Sequence, residues 1–116
     1  MPNPVVQFQI ISKSPDSHGE FYSKLFDWKI TNDNPLGYRE IATGSNEGIQ
    51  GGIWPAPPQA QAFVQLFVQV DDCAAHAEKA VALGAKILMP PQKLPQGEEM
   101  AVLLDPQGLP FAIMRK

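Results

Sequence analysis

The chain has 116 residues, 44% of them hydrophobic and 18% charged, with a formal net charge of −3. That length suits one domain burying about two-thirds of its unfolded surface, and the composition is that of a globular chain, not a disordered one. An acidic balance without a Lys or Arg run argues against nucleic acid as a partner. No apolar stretch approaches the roughly 20 residues of a bilayer span, and the opening Met1-Pro2-Asn3-Pro4 lacks the basic and apolar regions of a secretory leader. Cys73 is the only cysteine and allows no internal disulfide. The expectation is a cytoplasmic protein with no membrane partner.

The first predicted element is a strand in which Val6, Phe8 and Ile10 alternate with Gln7 and Gln9, giving one apolar face and one amide face. Ser14-Pro15 supplies a cap residue and a first-turn proline for a helix, whose stripe of His18, Phe21, Tyr22, Leu25 and Phe26 is expected to pack on that apolar face. Short strands follow near 28–32, 37–43 and 49–54, separated by Asn32-Asp33-Asn34-Pro35 and Gly44-Ser45-Asn46. The run from Pro55 to Ala62 holds three prolines and reads as a stiff extended connector, too short to separate domains.

A second strand then alternates Val64, Leu66, Val68 and Val70 with Gln65, Phe67 and Gln69. Asp71-Asp72 supplies carboxylate caps for a helix striped by Cys73, Ala77, Ala80, Val81 and Gly84 and ending near Gly84. Strands are expected near 85–89, 99–104 and 109–115, with a turn at Asp105-Pro106-Gln107-Gly108.

The two halves repeat one another. Val6-Gln7-Phe8 matches Val64-Gln65-Leu66 at an offset of 58 positions, and at that offset His18 meets His76, Glu20 meets Glu78 and Leu25 meets Leu83. Lys29-Ile30 meets Lys86-Ile87 one position short, as a small loop deletion would give. The reading is one domain of two modules, about 4–54 and about 63–116, joined by the connector 55–62.

Strand–helix–three strands, twice, resembles the vicinal-oxygen-chelate superfamily of glyoxalase, bleomycin-resistance and dioxygenase proteins. Phe21-Tyr22 followed by Leu25-Phe26-Asp27-Trp28 resembles the FY…(F/L)GW segment of many members. Val70-Asp71-Asp72 with Ala82-Leu83-Gly84-Ala85 resembles VDD…ALGA, and Asp105-Pro106-Gln107-Gly108 resembles the DPxG turn. The motifs span nearly the whole chain. The resemblance implies an α+β fold of two tandem βαβββ modules forming a curved eight-stranded mixed sheet, with helices on its convex side and a ligand in its concave cleft. It also implies a homodimer.

Metal-dependent members carry ligands on the first and last strands of each module. On the resemblance, Gln7 and Gln65 stand at the two first-strand positions, while Ala112 stands where the last-strand glutamate is expected. The first module's equivalent strand, Gly48 to Trp54, holds no carboxylate. Two neutral amides without an acid or imidazole suit zinc, nickel or iron poorly, so no metal site and no cofactor are expected, with Gln7 and Gln65 as the weak candidates. His18 and His76 fall on helices and read as helix-face residues. Glu40, Glu47, Glu98 and Glu99 read as solvated carboxylates beside strands, and Cys73 as core. Gly51-Gly52 reads first as a bulge and second as a place where the strand bends or a ligand approaches the backbone. No G-x-S-x-G or P-loop pattern is present.

If the apolar strand faces turn to the helices, Gln7, Gln9, Gln65, Phe67 and Gln69 look into the cleft. Tyr38, Trp54, Ala112 and Met114 join them, and aromatic walls with neutral hydrogen-bonding groups suit a small organic ligand. The leading expectation is a glyoxalase/bleomycin-resistance-like protein that binds such a molecule without a conventional metal site. The alternatives are a lyase, isomerase or dioxygenase using a divalent metal, and a dimeric interaction module. No residue is assigned a catalytic role.

Overall fold

The computed structural model describes residues 2–32, 38–57, 59, 61–94 and 97–115. Its elements are β1 (Val5–Ser12), α1 (Pro15–Phe26), β2 (Lys29–Thr31), β3 (Arg39–Ala42), β4 (Gln50–Pro55), β5 (Phe63–Gln69), α2 (Cys73–Ala82), β6 (Lys86–Lys93), β7 (Glu99–Leu104) and β8 (Pro110–Arg115). This is βαβββ twice over, the α+β order that the repeat predicts. The strands form an eight-stranded sheet in the order β2-β3-β4-β1-β5-β8-β7-β6. It is mixed: β1 runs parallel to β4 and β5 parallel to β8, whereas β2/β3, β3/β4, β6/β7 and β7/β8 are antiparallel. Contacts gather the chain into two units, residues 7–65 and residues 1–6 with 66–116. The expected turn residues Asp33, Asn34 and Pro35, the start of the strand expected from 37, and Pro58 and Ala60 of the connector lie outside the described residues.

In the unit of residues 7–65, Phe8 and Ile10 turn to one side and pack with Ile41 and Ile53, joined by Tyr22, Trp28 and Ile30. Helix α1 meets this layer at buried Gly19, where an added Cβ would stand in ordinary contact with Ile30 at 3.5 Å and Ile53 at 3.7 Å. The expected packing of the whole α1 stripe is corrected: Phe21 and Leu25 are both 57% exposed, and Phe26 is exposed as well. The helix meets β4 and β2 on its Gly19 side, and the outer rings stack on one another. Phe21 lies edge-on to Tyr22 at 5.1 Å, and Phe26 sits 5.2 Å from Trp28.

The expected Ser14 cap is also corrected, because its side chain makes no capping bond. Ser12, one of the few buried polar residues, accepts the Ser14 N–H at 3.0 Å and is hydrogen-bonded to His18 Nδ1. His18 is thereby a half-buried helix-face residue, as the sequence suggests.

Helix α1 closes on Asp27, whose φ of 58° and ψ of 29° are left-handed, and its N–H bonds the Ser23 carbonyl at 2.9 Å. The family motif carries glycine there. A left-handed non-glycine residue costs about 1–2 kcal/mol, and glycine returns about 0.4–1 kcal/mol of that through unfolded-chain entropy. Asp27→Gly is therefore expected to stabilise the protein by up to about 1 kcal/mol in urea denaturation, and Asp27→Val, β-branched at positive φ, to destabilise it.

In the unit containing residues 66–116, Val68 and Val70 meet Cys73, Ala77, Ala101, Leu103, Phe111 and Ile113 in the core beneath α2. Asp72 caps α2, its carboxylate accepting the Ala75 N–H at 3.0 Å. Cys73 is 1% exposed; burial, and next the Glu99 carboxylate, push its thiol up, consistent with a packing role. The helix stops at Leu83, and Gly84 follows with φ +106°. Val81 is exposed and Gly84 lies past the helix end, so neither joins the expected buried stripe.

Val64 and Leu66, expected on the apolar face of β5, are exposed as well; α2 rests on β6, β7 and β8. Val6 is a further correction: it packs against Phe67, Ala112 and Met114 and not with Phe8 and Ile10. Strand β6 runs to Lys93, beyond the expected residue 89, with register shifts between Ile87 and Met89 and between Met89 and Gln92. It ends the strand order, and Pro90 and Pro91 fall in the second of these irregularities, where a strand tolerates proline. The Asp105–Gly108 turn forms as expected, Asp105 Oδ1 accepting the Gln107 and Leu109 N–H groups at 2.9 Å. Among the described residues no helix is long and apolar enough to cross a membrane.

Candidate functional site

Strand register decides which side chains share a face, because cross-strand partners point the same way. In the unit of residues 7–65, Gln7 pairs with Gln50, Gln9 with Gly52 and Ile11 with Trp54. Glu40 also pairs with Gly52. Ile53 and Ile41, the alternate positions, belong to the core under α1. Gln7, Gln9, Trp54 and Glu40 thus lie on the face away from α1.

The centre of that face is Tyr38. Its ring lies over Gly52 so closely that a Cβ there would overlap the phenol. The hydroxyl is hydrogen-bonded to the Gln9 side chain, and the ring stands 6.0 Å from Trp54 at 46°. Burial raises the phenol's pKa; the Gln9 bond opposes the rise and the Glu40 charge adds to it. Tyr38 therefore stays protonated through the neutral range, a polar group at the edge of two aromatic rings.

Gly51 and Gly52 form no bulge, since β4 keeps register with β1 and β3 through both. Gly51 gives room to Phe8 on the core side, its absent Cβ falling 2.5 Å from the Phe8 carbonyl oxygen and 2.6 Å from the ring. Gly52 gives room to Tyr38 on the other. The bulge expected from the sequence is thereby corrected: what approaches the backbone at this pair is the protein's own Phe8 and Tyr38. Glu40, read as merely solvated, shares the face of Tyr38; alternation against buried Ile41 is the signal that could have found it.

Gln65 is buried. Phe67, Ala112 and Met114, at 2%, 0% and 3% exposure, form a packed cluster with Val6, Met100 and Val102 in the other unit. Gln69 is half-buried at the end of β5 and pairs with Met114. The structure brings together Gln9, Tyr38 and Trp54 in one group and Phe67, Ala112 and Met114 in another.

The donor chemistry does not fit a divalent transition metal. Gln7 and Gln65 offer neutral amides, Ala112 offers no donor, and among the described residues no three His, Cys, Asp or Glu side chains gather closely enough to hold an ion. Gln50, the register partner of Gln7, is engaged by Thr43 and the Ser45 carbonyl, at 2.8 to 3.2 Å. Glu99 is bonded to Arg115 at 2.7 Å, and His76 Nδ1 lies 3.1 Å from the Asp72 carbonyl.

Residues 7–114 match the family described as "Glyoxalase-like domain". Over 78 residues the chain is 33% identical to "Putative glyoxylase CFP32" of Mycobacterium bovis and of Mycobacterium tuberculosis, a match covering 67% of this chain but only 30% of those proteins. Among solved structures it resembles hypothetical protein BH1468 from Bacillus halodurans, with a TM-score of 0.68 and 14% identity over 100% of this chain and 96% of that one. It resembles an NAD-dependent benzaldehyde dehydrogenase structure from Legionella pneumophila at a TM-score of 0.65 and 22% identity, over 98% of each chain. Against methylmalonyl-CoA epimerase in complex with methylmalonyl-CoA the TM-score is 0.64 and the identity 14%, over 100% and 96% of the chains. At these identities the structural likeness is one of fold.

Proposed function

Because the chain belongs to the glyoxalase-like domain family, of the vicinal-oxygen-chelate kind, we propose that it binds a small organic molecule on the sheet face away from α1, without a conventional metal centre. The observation that carries this reading is the Gln9–Tyr38–Trp54 group assembled over Gly52. Aromatic surface with a few fixed polar groups is what orients an uncharged or weakly polar ligand. A ligand that binds only the native state stabilises it by RT ln(1 + L/Kd), L being the free ligand concentration. Thermal-shift screening of a broad metabolite panel is therefore expected to raise Tm for at least one compound, and chelator dialysis to leave Tm unchanged. Uniform silence across the panel would overturn the binding reading.

A second reading, a metal-dependent glyoxalase-like lyase or isomerase or a dioxygenase, is favoured by the name of the mycobacterial relatives. Stoichiometric nickel, zinc or iron in the purified protein would establish it over the first. Cytoplasmic location and pairing into a homodimer belong to the same proposal. The lone cysteine supports the first, and the exposed Phe21, Leu25 and Phe26 support the second.

A further inference from the structure

From the chemistry of the Tyr38 face, and resting on the binding reading above, we infer that its ligand is a small organic cation of the alkylammonium type, seated on the open side of the Tyr38–Trp54 ring pair beside the Glu40 carboxylate. Two observations converge on this charge. The first is the ring pair itself. At 6.0 Å and 46° the two rings form an angled corner, and aromatic faces are electron-rich and attract cations within about 6 Å of the centroid. The Gln9 bond and the missing side chain of Gly52 hold Tyr38 in that corner.

The second is Glu40. Its pairing with Gly52 sets it beside the residue that Tyr38 covers, and its charge acts on the phenol. None of the ion pairs among the described residues involves it. Arg39 pairs with Ile53 on the α1 side and bonds Asp16 at 2.7 Å, and exposed Lys29, opposite Ala42 and so on the face of Glu40, makes no ion pair with it. Gln7 and Gln9 are neutral. A carboxylate beside aromatic faces disfavours an anionic guest by repulsion and a wholly neutral one by the cost of covering a charge without compensation. A methyl-rich cation satisfies both the rings and the acid.

The test uses choline as the probe, its neutral carbon isostere dimethylbutanol and the anion pivalate, titrated while following the indole N–H resonance of Trp54. Choline is expected to shift that resonance saturably and pivalate not at all. Glu40→Gln should weaken choline at least about five-fold, the scale of one partly desolvated charge contact. Trp54→Leu should abolish the interaction with the fold intact by circular dichroism, and Glu40→Lys should transfer the preference to pivalate. Equal binding of choline and dimethylbutanol, or choline binding unchanged in Glu40→Gln, overturns the cation assignment. So does silence from choline when other panel compounds shift Trp54, and both results leave the binding reading standing. Silence from every compound overturns both.

Discussion

Phe67→Ala is expected to lower the unfolding free energy by about 3–5 kcal/mol, the range for removing a buried aromatic ring. The ring is 2% exposed and is enclosed by Val6, Met100, Val102, Ala112 and Met114. Truncation removes its apolar surface from the interior and leaves a cavity that well-packed neighbours refill only in part. Against a typical total of about 5–15 kcal/mol this is a large share, and it corresponds to a fall in Tm on the order of 10 °C or more. Phe67→Leu, which keeps most of the volume, should cost less than half as much. Urea denaturation of the three proteins measures both differences. A loss below about 1 kcal/mol for Phe67→Ala would mean that the ring stands in an open surface and not in a filled cluster.

The two adjacent glycines of β4 are expected to fail in different ways. At Gly51 an added Cβ meets the carbonyl oxygen of Phe8 at 2.5 Å, in the parallel strand that β4 pairs with. Backbone inside a ladder cannot step aside without breaking hydrogen bonds. Gly51→Ala should therefore destabilise by about 2–3 kcal/mol, the upper range of overpacking costs. At Gly52 the obstacle is the outer end of the Tyr38 side chain, which can swing away. Gly52→Ala should cost about 1 kcal/mol or less in stability, yet separate Tyr38 from Gln9 and remove ligand binding on that face. Denaturation curves set against binding isotherms for the two variants discriminate the cases. Equal stability losses, or a Gly52→Ala protein that binds as the parent does, would contradict this division of roles.

Much of the fold was legible because it was written in local terms. Alternating apolar residues identify β1 and β5, Pro15 and Asp72 mark helix starts, Gly84 marks a helix stop, and the Asp105–Gly108 turn carries its own hydrogen-bonding side chain. The repeat then doubled the value of each signal. Alternation failed where a residue's surroundings depend on distant chain. Val6, Val64 and Leu66 follow the same period as Phe8 and Val68, but a helix covers only some positions of a strand. The α1 stripe failed for a related reason: the side of the helix that faces the sheet carries buried Gly19, and large rings beside it can cover one another without reaching the sheet.

The sequence by itself determined the βαβββ order in both halves, the approximate extents of the strands, and the neutral amides that Gln7 and Gln65 offer. Those are properties of neighbouring residues, and period, caps and donor identity express them without reference to the rest of the chain. Only the tertiary structure decided that Tyr38 lies over Gly52 against Gln9 and beside Trp54, that Glu40 shares their face, and that Phe67, Ala112 and Met114 fill a packed cluster. The reason is strand register. It brings residues tens of positions apart onto one face, and that alignment depends on the partner strand as much as on the strand itself.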